Sequence, residues 1–243
     1  MIDIHCHILP DVDDGANAQT DALNMARMAA LSGVTDIAAT PHVMGDESAP
    51  ERMAEIRQKF LQMKDLLKKE EMQIRLHPGA EVLCLPGTPV LAARHQLPTL
   101  GRGNYVLAEF YFDEGYSYMD QMLQDIASQG YKLVVAHPER YAAIQRDPAR
   151  LERWGRMGYM LQLNKGSLLG RFGSRAELAA NEILGRGLAH LIASDAHGCR
   201  TRTTRMDELA QWVEERCDRH YARILLEENP RRVLEGLTPV GMD

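Results

Sequence analysis

Cysteine is scarce in this chain. Four occur in 243 residues, Cys6, Cys84, Cys199 and Cys217, and none form a C-x-x-C pair, which argues against a disulfide framework and a thiolate zinc site. No apolar run approaches the roughly 20 residues that a membrane-spanning helix needs, and no cationic segment followed by a long apolar stretch follows Met1. These absences predict a cytoplasmic protein with reduced thiols and no direct membrane insertion. Positive charge is short as well. Against 34 Asp and Glu stand only 28 Lys and Arg, a formal net charge of -6, whereas non-specific nucleic-acid binding needs a surplus of cations to displace counterions from phosphates. A Ser/Gly-rich linker, a low-complexity segment and a composition shift are also missing, so residues 1–243 are expected to form a single domain.

What is present is a recurring phrase in which a helix-like stretch ends in glycine and a short apolar strand follows: SGVTDIAATPH, QGYKLVVAHPER, MGYMLQLNKGS and RGLAHLIASDAH. Glycine suits the left-handed position after a helix, and the apolar run behind it suits a strand buried on both faces. Helical spacing of apolar residues covers 20–32, 50–71, 117–130, 148–158, 175–186 and 204–219. Further strands are expected at residues 1–4, 74–81 and 105–110, and Asn229 and Pro230 read as the cap and first position of a last helix. About seven strands alternating with helices predict an α/β fold, a mainly parallel sheet closed as a TIM-like barrel.

In that frame the strand ends carry metal-ligand residue types one after another. They are His5 and His7, His42 in ATPH, Glu81 in HPGAE, Glu109 in VLAEF, His137 in VVAHPER, and Asp195 with His197 in IASDAH. His5 and His7, two apart on a strand, point to one side, and Cys6 between them to the other. All the strand ends of a parallel barrel open on one face. Five histidines and three carboxylates exceed the needs of one ion, so two or three metals are expected, with a carboxylate bridging two of them. Nitrogen and oxygen donors without thiolate suit Mn, Fe or Zn in a catalytic site.

The stretches MIDIHCHILPDVDDGA, TPH, GAE, LAEF, AHPERY, LQLNKGSLLG and ASDAH, with Arg202 behind the last, run through nearly the whole chain. With them the sequence resembles the polymerase and histidinol phosphatase (PHP) superfamily, and within it the manganese-dependent bacterial tyrosine-protein phosphatases linked to capsule and exopolysaccharide synthesis. The resemblance implies a distorted seven-stranded (β/α) barrel with three metals. His5, His7, Glu81 and Asp195 would hold the first metal, Glu81, Glu109 and His137 the second, and Asp14, His42 and His197 the third. Asp14 rests on the resemblance alone, because Asp11, Asp13 and Asp14 share its loop and a loop aspartate is by default a turn or cap residue. The implied reaction is hydrolysis of phosphotyrosine by a metal-activated hydroxide, on the tail of a bacterial tyrosine kinase.

Two arginines suit the phosphate, since a guanidinium grips two oxygens in a fork. Arg140 is three residues past His137 and shares its rim, and Arg202 matches the family's second phosphate-site arginine, with Arg200 and Arg205 as rivals. Phe110, Tyr111 and Phe112 read as a wall for an aryl ring or as core. A thiolate mechanism would use Cys199 and Arg205, but Cys217 and Arg223 repeat the same Cys-x5-Arg spacing inside an apparent helix. A phosphatase of a small monoester such as histidinol phosphate, a metal amidohydrolase and a non-catalytic metal-binding module are the other readings.

Overall fold

The computed structural model describes residues 1–241. Among them the strands are β1 (Ile2–Cys6), β2 (Asp36–Ala39), β3 (His42–Met44), β4 (Arg75–Pro78), β5 (Glu81–Leu83), β6 (Tyr105–Glu109), β7 (Lys132–Ala136), β8 (Met160–Asn164) and β9 (Leu191–Ala193). All pair in parallel. One sheet has the order β1-β2-β4 and the other β3-β5-β6-β7-β8-β9. A single parallel bridge between Cys6 and Ala196 joins the end of β1 to the chain beyond β9, backed by hydrogen bonds from His7 N–H to Ala196 O and from Asp195 N–H to His5 O, both 2.9 Å.

Strands β1, β2, β6, β7, β8 and β9 divide their side chains between two apolar layers, as a period of two requires. Tyr105, Leu107, Val134, Ala136, Met160 and Leu191 share an inner cluster with Ile2 and Ile4. Val106, Ala108, Leu133, Val135 and Ile192 face the helices and pack with Met25, Met119, Leu123 and Ile183. Burial on both sides explains the unbroken apolar runs. The helix-ending glycines of the repeated phrase, Gly33 (φ 85°) and Gly130 (φ 87°) among them, take the left-handed conformation that stops a helix and turns it into the next strand.

Three expectations change. The stretch at 74–81 is two strands, interrupted at Gly79 and Ala80, and the one ending in ATPH resumes after Pro41 as β3, so His42 and Glu81 open strands rather than close them. Proline cannot donate to a ladder, which accounts for the break at Pro41. Asn229 is no cap: a continuous helical segment runs from Arg219–Arg223 through a wider turn at Ile224–Glu228 into Asn229–Glu235. The wider turn relieves the ladder where Pro230 lacks an N–H, and the Asn229 side chain instead bonds His190 O and Val240 N. Among the described residues no helix is long and apolar enough to cross a membrane.

Candidate metal centre

A bulge in β1 aims the first two histidines. Asp3 pairs with Ile37 and Cys6 with Ala39, so three steps on β1 match two on β2. Ile4 belongs to the inner layer and Cys6 to the outer. The extra residue lets His5 face inward directly after Ile4, instead of following Asp3 outward. Glu109 continues the inward alternation of Tyr105 and Leu107, and Gln162 and Asn164 continue that of Met160. His42 and Glu81 lie opposite each other in the β3–β5 register. His137 and Asp195 follow their strands with φ of 32° and 48°, left-handed values that cost a non-glycine residue roughly 1–3 kcal/mol and cluster at functional sites.

These side chains converge. The Oε2 of buried Glu81 lies 3.2 Å from His5 Nε2, 3.3 Å from His7 Nε2 and 3.1 Å from His42 Nδ1. Its Oε1 lies 3.0 Å from His137 Nε2. Glu109 stands 3.4 Å from His42 and 3.5 Å from His137, and Asp195 Oδ1 stands 3.6 Å from both His5 and His7. Asp14 Oδ1 approaches His197 Nε2 at 3.3 Å and His42 Nε2 at 3.5 Å. Three sets of donors fall within 4.8 Å of one another: His7, Asp14, His42 and His197; His5, His7 and Glu81; His42, Glu81 and Glu109. His7, His42 and Glu81 thus each serve two sets, while His137 and Asp195 belong to none of the three, which departs from the partition the resemblance implies.

The hydrogen bonds fit a cation. Gln162 donates its amide N–H to Leu163 O and so presents its oxygen to His5 Nδ1 at 2.9 Å. His7 Nδ1 meets the Asp13 carboxylate at 2.7 Å, and His197 Nδ1 meets Asp195 O at 3.1 Å. Each partner only accepts, so Nδ1 carries the proton and Nε2 turns its lone pair to the centre, the arrangement of metal-ligating histidines. His5 Nε2 and His7 Nε2 then face each other at 3.3 Å. His197 Nε2 is buried and finds no hydrogen bond among the described residues. Lone pairs crowded against carboxylates repel unless a positive charge lies between them. Protons can take that place. Burial opposes charge on His5, but Glu81 and Asp195 prevail and lift it to about 9; His42, despite burial, is lifted to about 11 by Glu109 and Glu81.

Structure separates the three loop aspartates that sequence left in competition. Asp14 faces His42 and His197. Asp13 binds His7 with Oδ2, accepts the His42 N–H at 3.0 Å, and with Oδ1 accepts the Gly15 N–H. Asp11 pairs with Lys59 on the surface. Gly15 allows this loop to close, since a Cβ there would lie 2.1 Å from His7 O.

Both favoured arginines reach the site. Arg202 Nη2 is 2.6 Å from Asp195 Oδ1, and Arg140 Nη1 is 3.5 Å from Oδ2 of the same carboxylate. Arg205 instead pairs with Asp207. Cys199 gives its thiol to Asp21 O, and burial together with the Asp21 charge pushes its pKa up, the reverse of an activated nucleophile. Of the aromatic trio, Phe110 is core, edge-on to Tyr141, while Tyr111 and Phe112 are exposed.

The sequence offers Asp13 only as a rival of Asp14, and assigns no role to Gln162, Asn164 or Glu139. Asn164 hydrogen-bonds Asp195, and its own N–H is held by buried Glu139 at 3.0 Å. The signal was there in LQLN, where two polar residues occupy the inward positions of an otherwise apolar strand. Nothing comparable marked Asp13.

The family model described as capsular polysaccharide synthesis, CpsB/CapC, matches residues 1–235. Tyrosine-protein phosphatase YwqE of Bacillus subtilis is 36% identical over 238 residues, covering 98% of this chain and 93% of that protein. A crystal structure from work on YwqE of Bacillus subtilis and CpsB of Streptococcus pneumoniae, described as unique metal-dependent tyrosine phosphatases, superposes with a TM-score of 0.88 at 34% identity, covering 98% of this chain and 96% of that one. A dihydropyrimidinase from Brevibacillus agri, covered to 73% of its length by all of this chain, is similar in fold alone, with a TM-score of 0.59 at 11% identity. With the family pattern extending over nearly its whole length, this chain belongs to the CpsB/CapC family of capsular polysaccharide synthesis.

Proposed function

We propose that this protein is a metal-dependent phosphatase that removes phosphate from protein phosphotyrosine. The observation that carries the reading is one cluster of histidines and carboxylates with two arginines converging on its Asp195. His5, His7, Asp14, His42, Glu81, Glu109, His137, Asp195 and His197 would hold two or three ions, manganese by the resemblance, with Glu81 as the bridging carboxylate. Bound cations would acidify a water toward a pKa of about 7 and neutralise charge on the phosphoryl oxygens.

The chain's own part is grip and alignment. Arg140 and Arg202 spend few of their five N–H donors on Asp195, leaving fork edges for phosphoryl oxygens, whose charge they offset as the phosphorus–oxygen bond breaks. A phenolate leaves readily, its acid having a pKa near 10, so no strong general acid is needed. Asp13 and Gln162 fix the tautomers that aim His7 and His5.

The fold supports a finer reading as a distorted seven-stranded TIM-like barrel of PHP type, one domain over residues 1–243. In it β2 with β3, and β4 with β5, count as single interrupted strands, and the Cys6–Ala196 bridge joins the first strand to the last. Unpaired cysteines support a cytoplasmic location. The substrate we favour is the phosphorylated tail of a bacterial tyrosine kinase, in keeping with the family.

A chelator should abolish turnover of a phosphotyrosine peptide, and Mn²⁺ should restore it. Cys199→Ser should stay within a few-fold of the parent; complete loss with metals intact would move the case to a thiolate mechanism. Arg140→Ala should lower kcat/KM by roughly 30- to 1000-fold at unchanged metal content, and Arg140→Lys should be clearly impaired. Preference for histidinol phosphate over the peptide would reassign the substrate, and turnover of a cyclic amide alone would make this an amidohydrolase.

A further inference from the structure

We infer that Phe172 is a positioning residue for phosphate, a ring that fixes the guanidinium of Arg140 and, more weakly, that of Arg202; the inference rests on the phosphatase reading above. The Phe172 ring centre lies 4.5 Å from the Arg140 guanidinium carbon and 5.8 Å from that of Arg202. Phe112 supplies Arg140 with a second ring at 4.2 Å. Among the described residues the polar anchor of Arg140 is a single long contact to Asp195 at 3.5 Å, too weak to set the plane of a guanidinium. Arg202 is better held, with Nε donating to Asp195 O at 3.2 Å. The rings therefore decide where the Arg140 fork points, and Arg140 depends on Phe172 more than Arg202 does.

Phe172 has a built seat. A Cβ on Gly166 would stand 2.4 Å from its ring, so only glycine lets the ring lie there. Arg171 N–H donates to Gly166 O at 2.7 Å and pins the neighbouring backbone to that seat. Gly166 N–H in turn donates to Asn164 Oδ1 at 2.9 Å, and the Asn164 amide hydrogen-bonds Asp195. Ring, seat, Asn164 and Asp195 form one closed circuit around the arginines. Phe172 is half-buried and belongs to neither apolar cluster, so its packing serves the arginines rather than the core.

The test is calorimetric binding of inorganic phosphate to the metal-loaded protein, with kcat and KM on a phosphotyrosine peptide and metal content alongside. Phe172→Ala should weaken phosphate binding by roughly 5- to 20-fold, the scale of a partly desolvated cation–π contact, and Phe172→Tyr should restore it to within about twofold. Gly166→Ala should weaken binding in the parent by displacing the ring and add little in the Phe172→Ala background. Unchanged phosphate binding in Phe172→Ala at full metal content would overturn the inference, as would a Gly166→Ala loss that adds in full to it. A parent that binds phosphate yet leaves the peptide intact, with Phe172→Ala still weakened, would topple the substrate reading and leave the inference standing. A parent that binds no phosphate would overturn both.

Discussion

The inner layer has two ends made from the same strands with the same alternation, and they differ in almost every physical respect. Toward the strand starts it is dry: Ile2, Tyr105, Val134, Met160 and Leu191 pack with Leu100 and Leu234, each buried side chain contributing roughly 1.5–3 kcal/mol relative to exposure. At the opposite end Glu81, Asp195, His5, His7 and His137 are equally buried but ionisable, and burying such groups costs stability unless charges balance. One end holds the fold together while the other tolerates strain and crowding for chemistry. Substitutions at either end test that separation along the strand axis.

The largest contrast should come from Glu81→Gln. Removing the carboxylate that faces four histidines should empty the site and lower kcat/KM by about a thousandfold or more, roughly 4 kcal/mol, with the circular dichroism spectrum unchanged. Elemental analysis with kinetics checks this; retention of full metal content would remove Glu81 from the bridging role.

Leu100→Ala, beside the start of β6, where its N–H donates to Tyr105 O at 2.8 Å, should do the opposite. A fully buried leucine truncated to alanine should cost about 3 kcal/mol of stability, within the usual 2–5, visible in the urea midpoint, while activity per folded molecule stays near the parent's. An equal fall in activity would mean that the two ends are mechanically one.

Acid should reveal the dry end through His190. Burial lowers its pKa to about 4, and its Nδ1 accepts the Leu161 N–H, which demands a neutral ring. The unfolded chain, with a histidine pKa near 6.5, binds the proton first, so this contribution is complete above about pH 6.5 and is lost as pH falls toward 4, up to about 3 kcal/mol. Urea midpoints for the parent and His190→Gln at pH 7.5, 6 and 5 isolate it, and parallel curves would refute it.

Asp13→Asn is the smallest intervention. The amide can present N–H instead of oxygen to His7 Nδ1, loosening the tautomer, and metal affinity should fall about 10- to 100-fold. Titration with Mn²⁺ under a competing chelator measures this, and an unchanged affinity would show that His7 needs no such support.

Much of this was legible in the sequence because residue type and period both point the same way. Apolar runs ending in His, Glu or Asp located the helices, the parallel strands and most of the cluster. What escaped depended on geometry that no period encodes. His42 and Glu81 open strands because Pro41 and Gly79 break the ladder before them, and Asn229 was read as a cap because a wide helical turn leaves no trace in composition. Asp13 and Asp14 are neighbours of one type, and only the folded loop tells the residue that orients a histidine from the one that faces the centre. Phe172 gave no signal, since its meaning lies in a glycine six positions earlier.

The contact between the end of β1 and Ala196 has a consequence for how the protein comes into being. Asp3 and Ser194 hydrogen-bond across 191 positions of chain, and His5 meets Asp195 across nearly as many. No fragment released early from a ribosome can present this donor set, and loop closure of that span is slow and late. A cation held at the site would therefore require that the first strand and the last have met. Because a ligand that binds only the finished form deepens its well by mass action, metal supply would set how long each newly made molecule survives proteolysis, making abundance as well as turnover a function of the ion.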